Sequence, residues 1–548
     1  MNLLRISLWL ICLGSQTGAL LAQLEVSARK EIALQRLNRD EFEIISLREK
    51  GLLMVSVAEP YVYAREKEFT ITYLDSNLQV FRQNTYLLPY DFARERTNYY
   101  DQSQYMYFFH QNSANQEISI FRLQIFSGEG KIFNFAPPVK MSTDDFQAVD
   151  DYAYFSGQYN GKPVVISYHF LNQFAKVLPA FYEEHEEFQW VQTDPQKKQV
   201  YFVLKNTLMR RCNLVVKPYS QLIGTLGPLL VKDRSTRTPR DGLVFSAEDG
   251  KKWVFGTYSL KCARSPQGVY SAQFENGEQK SINFREFTDF GNFFNHYSDK
   301  KAERMRQKVE EKRNKGRELN LNRKIDLRPE LIAQGKQLLL LMEGYYSSYQ
   351  NVNGPAGNLL GAYPNTMPLS TPRNVWTRNL GLTDRYTNYQ YNYAIICAFD
   401  MRGRLLWDNI MKIDRVERTA PSDIIQLGFH GDTVVTAYIN EDKVYSKAMF
   451  RYLSLQEETE QEIDELLKNY AGGESEWGEF LHWYGPHFLY FGEQKVRAAP
   501  DNGNRIFHLT RLSHSFPPKE NPAKETEKET EKRRKKAKKP LEDARTKN

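Results

Sequence analysis

Alternating apolar strands, tight glycine turns and a beat of about fifty residues predict an all-β chain: a β-propeller of seven or eight four-stranded blades with two helical insertions. The clearest strand pair is Tyr391 to Trp407, YNYAIICAFDMRGRLLW. Tyr393, Ile395, Cys397 and Phe399 alternate, the turn carries Gly403, and Leu405-Leu406-Trp407 opens the partner strand. Period-2 alternation into a glycine turn encodes a hairpin. Weaker copies open at Leu52, Tyr105, Tyr152, Val200 and Trp253, spaced 53, 47, 48 and 53 residues apart, and are read as inner strands. A four-stranded sheet cannot cover both its faces alone, and stacking each unit on its neighbours does so. Aromatic residues make up 13% of the 548, which suits strands.

In chain order, Arg5, the apolar run Ile6 to Leu13 and small residues ending at Ala22 predict a signal peptide over 1–22, with Gln23 as the first mature residue. No later run is long enough for a membrane helix. The mature chain is expected in the periplasm or secreted, with no transmembrane segment after cleavage. Glu31 to Leu37 is a candidate outer strand, borrowed to close the ring. Repeat units then follow, with Asn160-Gly161 and Asn276-Gly277 as hairpin turns. Eight units are countable, the last lacking its own outer strand. The propeller is expected over 23–516.

Three insertions break the beat. Lys300 to Arg323 is strongly helical by propensity and almost free of apolar residues, giving one helical insertion at about 299–323. A long aromatic loop spans 343–392. Gln456 to Tyr470 places Ile463, Leu466, Leu467 and Tyr470 at helical spacing among acids, giving a second helical insertion at about 456–471. The basic and acidic segments are expected to pack together, opposed charge steering them. Residues 517–548, with KETEKETEKRRKKAKK, have no apolar period and read as a disordered basic tail.

The formal net charge is +7. Lys300 to Lys324 contributes +7 and Lys519 to Asn548 contributes +5, so the rest carries −5. The body is mildly acidic, which argues against nucleic acid as a partner. After signal cleavage Cys212, Cys262 and Cys397 remain. An odd number leaves at least one thiol unpaired. Cys212 and Cys262 lie in neighbouring units, so a disulfide and buried free thiols both stay open.

Catalytic and metal motifs are sparse. Glu183-Glu184-His185-Glu186-Glu187 reads as a solvated loop, because consecutive side chains point apart. His482 and His487 lack a third ligand in the sequence. HExxH, CxxC, EF-hand, P-loop, GxGxxG and G-x-S-x-G patterns are absent. Asp144, Asp145, Asp150 and Asp151 fit ordinary turn chemistry. No metal, cofactor or catalytic residue is assigned. The binding candidates are Tyr345, Tyr346, Tyr349, Tyr363, Trp376, Arg378, Arg385, Tyr386, Tyr389 and Tyr391, because Tyr, Trp and Arg anchor interfaces. Against this stands a loop that merely folds over the ring and buries its own aromatics.

Ala398-Phe-Asp400-Met-Arg-Gly403-Arg-Leu-Leu-Trp407 resembles the blade motif of quinoprotein-like (PQQ-repeat) propellers, where a strand ends in Ala-x-Asp before a Gly turn and a Trp packs between blades. Tyr73-Leu-Asp75 is a fainter echo. The vicinal Cys-Cys of the quinoprotein enzymes is missing, so the resemblance implies the fold without the redox cofactor. The whole chain is similar to uncharacterised secreted propeller proteins of Bacteroidota. The expectation is a non-enzymatic interaction scaffold or binding protein for a protein or glycan partner in the cell envelope. Its basic tail would contact anionic membrane or polysaccharide. The alternative is a glycan-active hydrolase or lyase working in the central funnel.

Overall fold

The computed structural model describes residues 23–515 except 35–40, 59–64, 93–94, 101–102, 113–114, 180, 182–184, 209–210, 264, 317–320, 322–324, 350–385, 420, 451–452, 455–457, 469, 471–474 and 496–504. The expected signal peptide and basic tail lie outside the described residues. Two compact units are present. Of the smaller, the described residues are 23–25 and 513–515, where Ser515 N donates to Gln23 O at 3.1 Å. The larger, 26–512, is an eight-bladed β-propeller.

Each blade is an antiparallel sheet with a four-strand path. Blades one to seven occupy 41–89, 96–135, 142–177, 186–231, 237–286, 325–418 and 426–462. Blade eight takes Ser475–Tyr484, His487–Lys495 and Arg505–His514, with Leu24–Ala33 as its fourth strand. The borrowed closing strand is therefore real, but it lies earlier than the expected Glu31 to Leu37. Leu34 N donates to Arg505 O at 3.1 Å and Arg511 Nε to Ser27 Oγ at 2.8 Å.

First strands of neighbouring blades meet around the axis. The strands that open at Leu52, Tyr105, Tyr152, Val200 and Trp253 are thus second in their blades rather than innermost. Between blades the core is aromatic: Phe109 stacks on Phe146 at 4.9 Å, and Phe181 meets Phe202 edge-on at 4.7 Å. A fully buried side chain of this size contributes roughly 1.5–3 kcal/mol. Radial packing lets both faces of each sheet make such contacts.

The turn between the last two strands of blade six is anchored by Asp400 and Gly403. Asp400 Oδ1 accepts from Arg402 N at 2.9 Å and Arg404 N at 2.8 Å. Gly403 takes φ +68°, and a Cβ there would strike the Trp253 ring. Trp407 is buried between blades six and seven.

Within the expected insertion at about 299–323 a helix forms over Asp299–Asn314, and it buries Ala302 and Val309. The acidic segment differs. Its helix is the single turn Ile463–Leu466, and Thr459–Glu462 is a strand paired to Lys443–Phe450. Strand pairing wins because it seats Glu460 2.6 Å and Glu462 3.3 Å from Lys443. These described ion pairs of the acidic segment run to its own blade, whereas Arg313 of the basic helix pairs with Asp289. The Cys212–Cys262 disulfide forms, with Cα atoms 5.8 Å apart, and joins blades four and five. Cys397 is a buried free thiol.

The expected loop 343–392 begins and ends as strand. Gln337–Tyr349 and Tyr386–Asp400 pair far beyond the ordinary blade height, with Tyr349 opposite Tyr386.

Candidate functional site

Two places gather polar chemistry: the axis, and a cleft between blades six and seven. Around the axis each blade reaches the next through a side chain. Thr97 Oγ1 donates to Glu43 Oε2 at 3.3 Å. Ala148 N donates to Asn98 Oδ1 at 3.0 Å, and Val191 N to Asp145 Oδ2 at 3.1 Å. Gln192 exchanges two bonds with the Val244 backbone, at 2.6 and 2.8 Å. Arg240 Nη2 donates to Asp326 Oδ1 at 2.6 Å. Ile424 N and Ile425 N donate to Glu343 Oε1 at 2.8 and 2.5 Å. His482 N donates to Gln426 Oε1 at 2.8 Å, and Ser46 Oγ to Trp483 O at 3.3 Å.

This belt runs through all eight blades. It satisfies backbone groups that would otherwise be costly to bury. Acidic side chains from several blades take part in this belt. Glu43, Asp145, Asp326 and Glu343 are engaged in joining blades. Burial raises the Asp145 carboxyl to about 6. Burial, followed by the nearby Asp423, also raises Glu343. Glu330 differs: water reaches it, yet protein encloses it closely enough to raise its pKa, with Asp423 adding to the rise. Glu330 is thus an exposed carboxyl on the first strand of blade six whose pKa is raised.

The second place is a cleft of about 720 Å³. A backbone irregularity opens it. In blade six Tyr391 pairs with Val416 but Tyr393 pairs with Lys412. Ile413, Asp414 and Arg415 therefore bulge opposite Asn392 alone. Bulges re-aim side chains. Here Arg415 takes φ +46°, a conformation costly for a non-glycine residue, and stands exposed in the cleft with Lys412. Facing them, Lys301 Nζ sits 4.1 Å from the Tyr297 ring centroid. The His296 ring packs on Tyr297 at 3.9 Å and Tyr393 at 4.5 Å. Tyr346 and Tyr445 complete four tyrosines on the walls.

The same irregularity sorts the expected binding residues. Strand side chains alternate, and one bulge reverses the parity. Tyr389 and Tyr391 pack toward blade seven, whereas Tyr393, Ile395, Cys397 and Phe399 pack toward blade five. Tyr391 is fully buried and its hydroxyl accepts from Ser422 N at 2.9 Å. Tyr389 is buried too, and Tyr345 packs on both at 5.7 and 5.5 Å. Tyr389 and Tyr391 are thus held in the core toward blade seven, with the half-buried Tyr345 packed on them. Tyr346 is exposed and lines the cleft. Tyr349 and Tyr386 form a strand pair. Tyr363, Trp376, Arg378 and Arg385 lie outside the described residues.

The sequence reading missed His296, Lys412, Arg415 and Lys443. Nothing local marks Arg415, since a bulge without glycine leaves no signature. His482 and His487 do not form a metal pair with a third ligand; His482 Nε2 lies 3.1 Å from Gly485 O. Among the described residues no cluster of His, Cys, Asp and Glu has the make-up of a metal site.

No family model and no curated protein matches this chain. Among solved structures it is similar to the polysaccharide lyase Uly1, at 9% identity and TM-score 0.36, over 89% of this chain and 99% of that one. It is also similar to the β-propeller domain of the Trilobed protease from Pyrococcus furiosus, at 8% identity and TM-score 0.33, over 76% and 97%. A Synechocystis apocarotenoid oxygenase follows, at 9% identity and TM-score 0.28, over 45% and 61%. Likenesses this distant carry no functional argument.

Proposed function

We propose that this protein is a non-enzymatic binding platform of the cell envelope, taking a protein or glycan partner in the cleft between blades six and seven. The observation that carries the reading is the cleft itself. Its volume of about 720 Å³ is that of a ligand site. Its walls combine tyrosine faces with Lys301, Lys412 and Arg415, and a strained backbone presents one of those cations. Aromatic faces take sugar rings or side chains, and the cations take negative groups. The inter-blade disulfide supports an oxidising compartment. In this reading the quinoprotein-like turn of blade six serves the fold, and the basic tail contacts anionic lipid or polysaccharide.

Calorimetric titration with neutral and acidic oligosaccharides and with acidic peptides tests the proposal. One class should bind, and Tyr346→Ala or Lys412→Glu with Arg415→Glu should weaken it at least tenfold. Unchanged affinity in both variants would remove the cleft as the site.

The funnel-enzyme alternative keeps one observation in its favour, the exposed Glu330 on the first strand of blade six, with its raised pKa. Release of new reducing ends or unsaturated sugars from a polysaccharide panel, lost in Glu330→Gln, would establish it. An inactive wild type across that panel would dismiss it.

A further inference from the structure

The face opposite the cleft carries a different kind of surface. In an antiparallel four-strand blade, the turn between strands one and two and that between strands three and four share one edge. Several contacts show that neighbouring blades gather these turns on one face. Lys50, in the first turn of blade one, lies 5.4 Å from the Phe126 ring of blade two's second turn. Arg122 of blade two pairs with Asp151 in blade three's first turn. Gln221 Nε2 in blade four's second turn donates to Val149 O of blade three at 3.3 Å.

On that face, four consecutive second turns end in bare apolar side chains. They are Val80 and Phe81 in blade one, Phe126 in blade two, Leu171 and Phe174 in blade three, and Leu222 and Ile223 in blade four. These are seven of the twelve large apolar side chains that stand exposed among the described residues. Phe126 is 62% exposed and Leu222 82%. Single exposed apolar residues are ordinary, but a series at equivalent turns of successive repeats is not.

We infer that this crescent seats the propeller on a lipid bilayer, inserting its turn tips into the interfacial region. Its shape favours a bilayer over a protein. The tips stand at the ends of turns on one face and are separated by polar residues. A protein partner would need a recess for its anchors. The recess beside Phe81 and Phe126 is about 80 Å³, below the roughly 150 Å³ that holds a benzene ring. Phe, Leu and Ile at the tips suit the acyl boundary. Exposed Lys50, Lys197 and Lys198 stand beside them to meet headgroups. Lys198 O accepts from Gln221 N at 3.1 Å, so the lysine turn abuts the Leu222–Ile223 tip. Arg48 adds one more cation on this face, where Glu49, Asp75, Glu129, Asp150 and Asp194 offset these charges. The attachment is therefore apolar in character and little affected by salt, which separates it from contact by the basic tail.

The test is co-sedimentation of the full chain with phosphatidylcholine vesicles in about 0.5 M NaCl, where electrostatic attraction is screened. The wild type should pellet. The quadruple variant Phe126→Ser, Phe174→Ser, Leu222→Ser, Ile223→Ser should partition at least tenfold less, at an unchanged melting temperature, because these side chains are exposed. Phe126→Trp should blue-shift its fluorescence on vesicle addition. A wild type that stays in the supernatant, or a quadruple variant that pellets equally, overturns the inference. So does a wild-type dimer that the quadruple variant converts to monomer, which would make the crescent a contact between copies. The cleft variants Lys412→Glu and Arg415→Glu should pellet as the wild type does, so failure here and failure of the cleft reading are distinguishable.

Discussion

Arg240 Nη2 lies 2.6 Å from Asp326 Oδ1, and the largely buried pair fastens blade five to blade six. Removing one partner of such a pair leaves the other charged and enclosed, which costs about 3–5 kcal/mol. Asp326→Ala should lower stability by that amount in chemical denaturation. Arg240→Met with Asp326→Leu should lose much less. Equal losses would mean that the ion pair itself, rather than an orphaned charge, sets the cost.

The disulfide gives a second prediction. Cys212 and Cys262 are 50 residues apart in sequence, and a crosslink closing a loop of that size stabilises by about 2–4 kcal/mol. Cys212→Ser with Cys262→Ser should lose this, and reductant should bring the wild type to the same melting temperature. Cys397→Ser should not alter the response to reductant.

The tyrosines of the long hairpin divide into two classes. Tyr391 is fully buried, so Tyr391→Ala should cost about 3–5 kcal/mol, as for other large aromatic truncations. Tyr346→Ala should leave the unfolding free energy within about 0.5 kcal/mol of wild type while weakening ligand. A Tyr346→Ala variant that unfolds early would assign Tyr346 to the core as well.

Stability should respond to acid in two opposed ways. Burial lowers His482 to about 4 and His508 to about 3, from 6.5. Below 6.5 the unfolded chain takes up protons that these folded imidazoles refuse. Their contribution is complete above 6.5 and falls as pH drops toward 4 and 3. Burial raises Asp145 and Asp241 to about 6, from 3.8. There the folded state holds the extra proton, so their contribution falls as pH rises from 3.8 to 6. His508→Gln should flatten the loss below 6.5, and Asp145→Asn the loss between 3.8 and 6. Denaturation curves at fixed pH measure both; an unchanged slope in either variant refutes its assignment.

Period and punctuation in the chain were enough to establish the repeat. Strand alternation, Asn160-Gly161, Asn276-Gly277 and the spacing from Leu52 to Trp253 all reflect local backbone chemistry, and a propeller of seven or eight blades follows from them; the structure makes it eight. The helix at Asp299–Asn314 follows likewise, where propensity had no competitor. The acidic segment was misjudged because helical spacing of Ile463 and Leu467 says nothing of a free strand edge beside Lys443. That edge is supplied by another part of the blade.

The binding residues were harder to read for a similar reason. From its residues alone this chain determines its strands, its turns and the beat that closes them into a ring, since each depends on near neighbours. Tertiary structure decided which side of a strand Tyr391 faces, because one bulge at Asn392 reverses parity without any sequence mark. It also decided that Glu43, Asp145 and Glu343 join blades, and that Phe81, Phe126, Phe174 and Leu222 share a face. Those relationships connect residues tens to hundreds of positions apart, and only the closed ring brings them together.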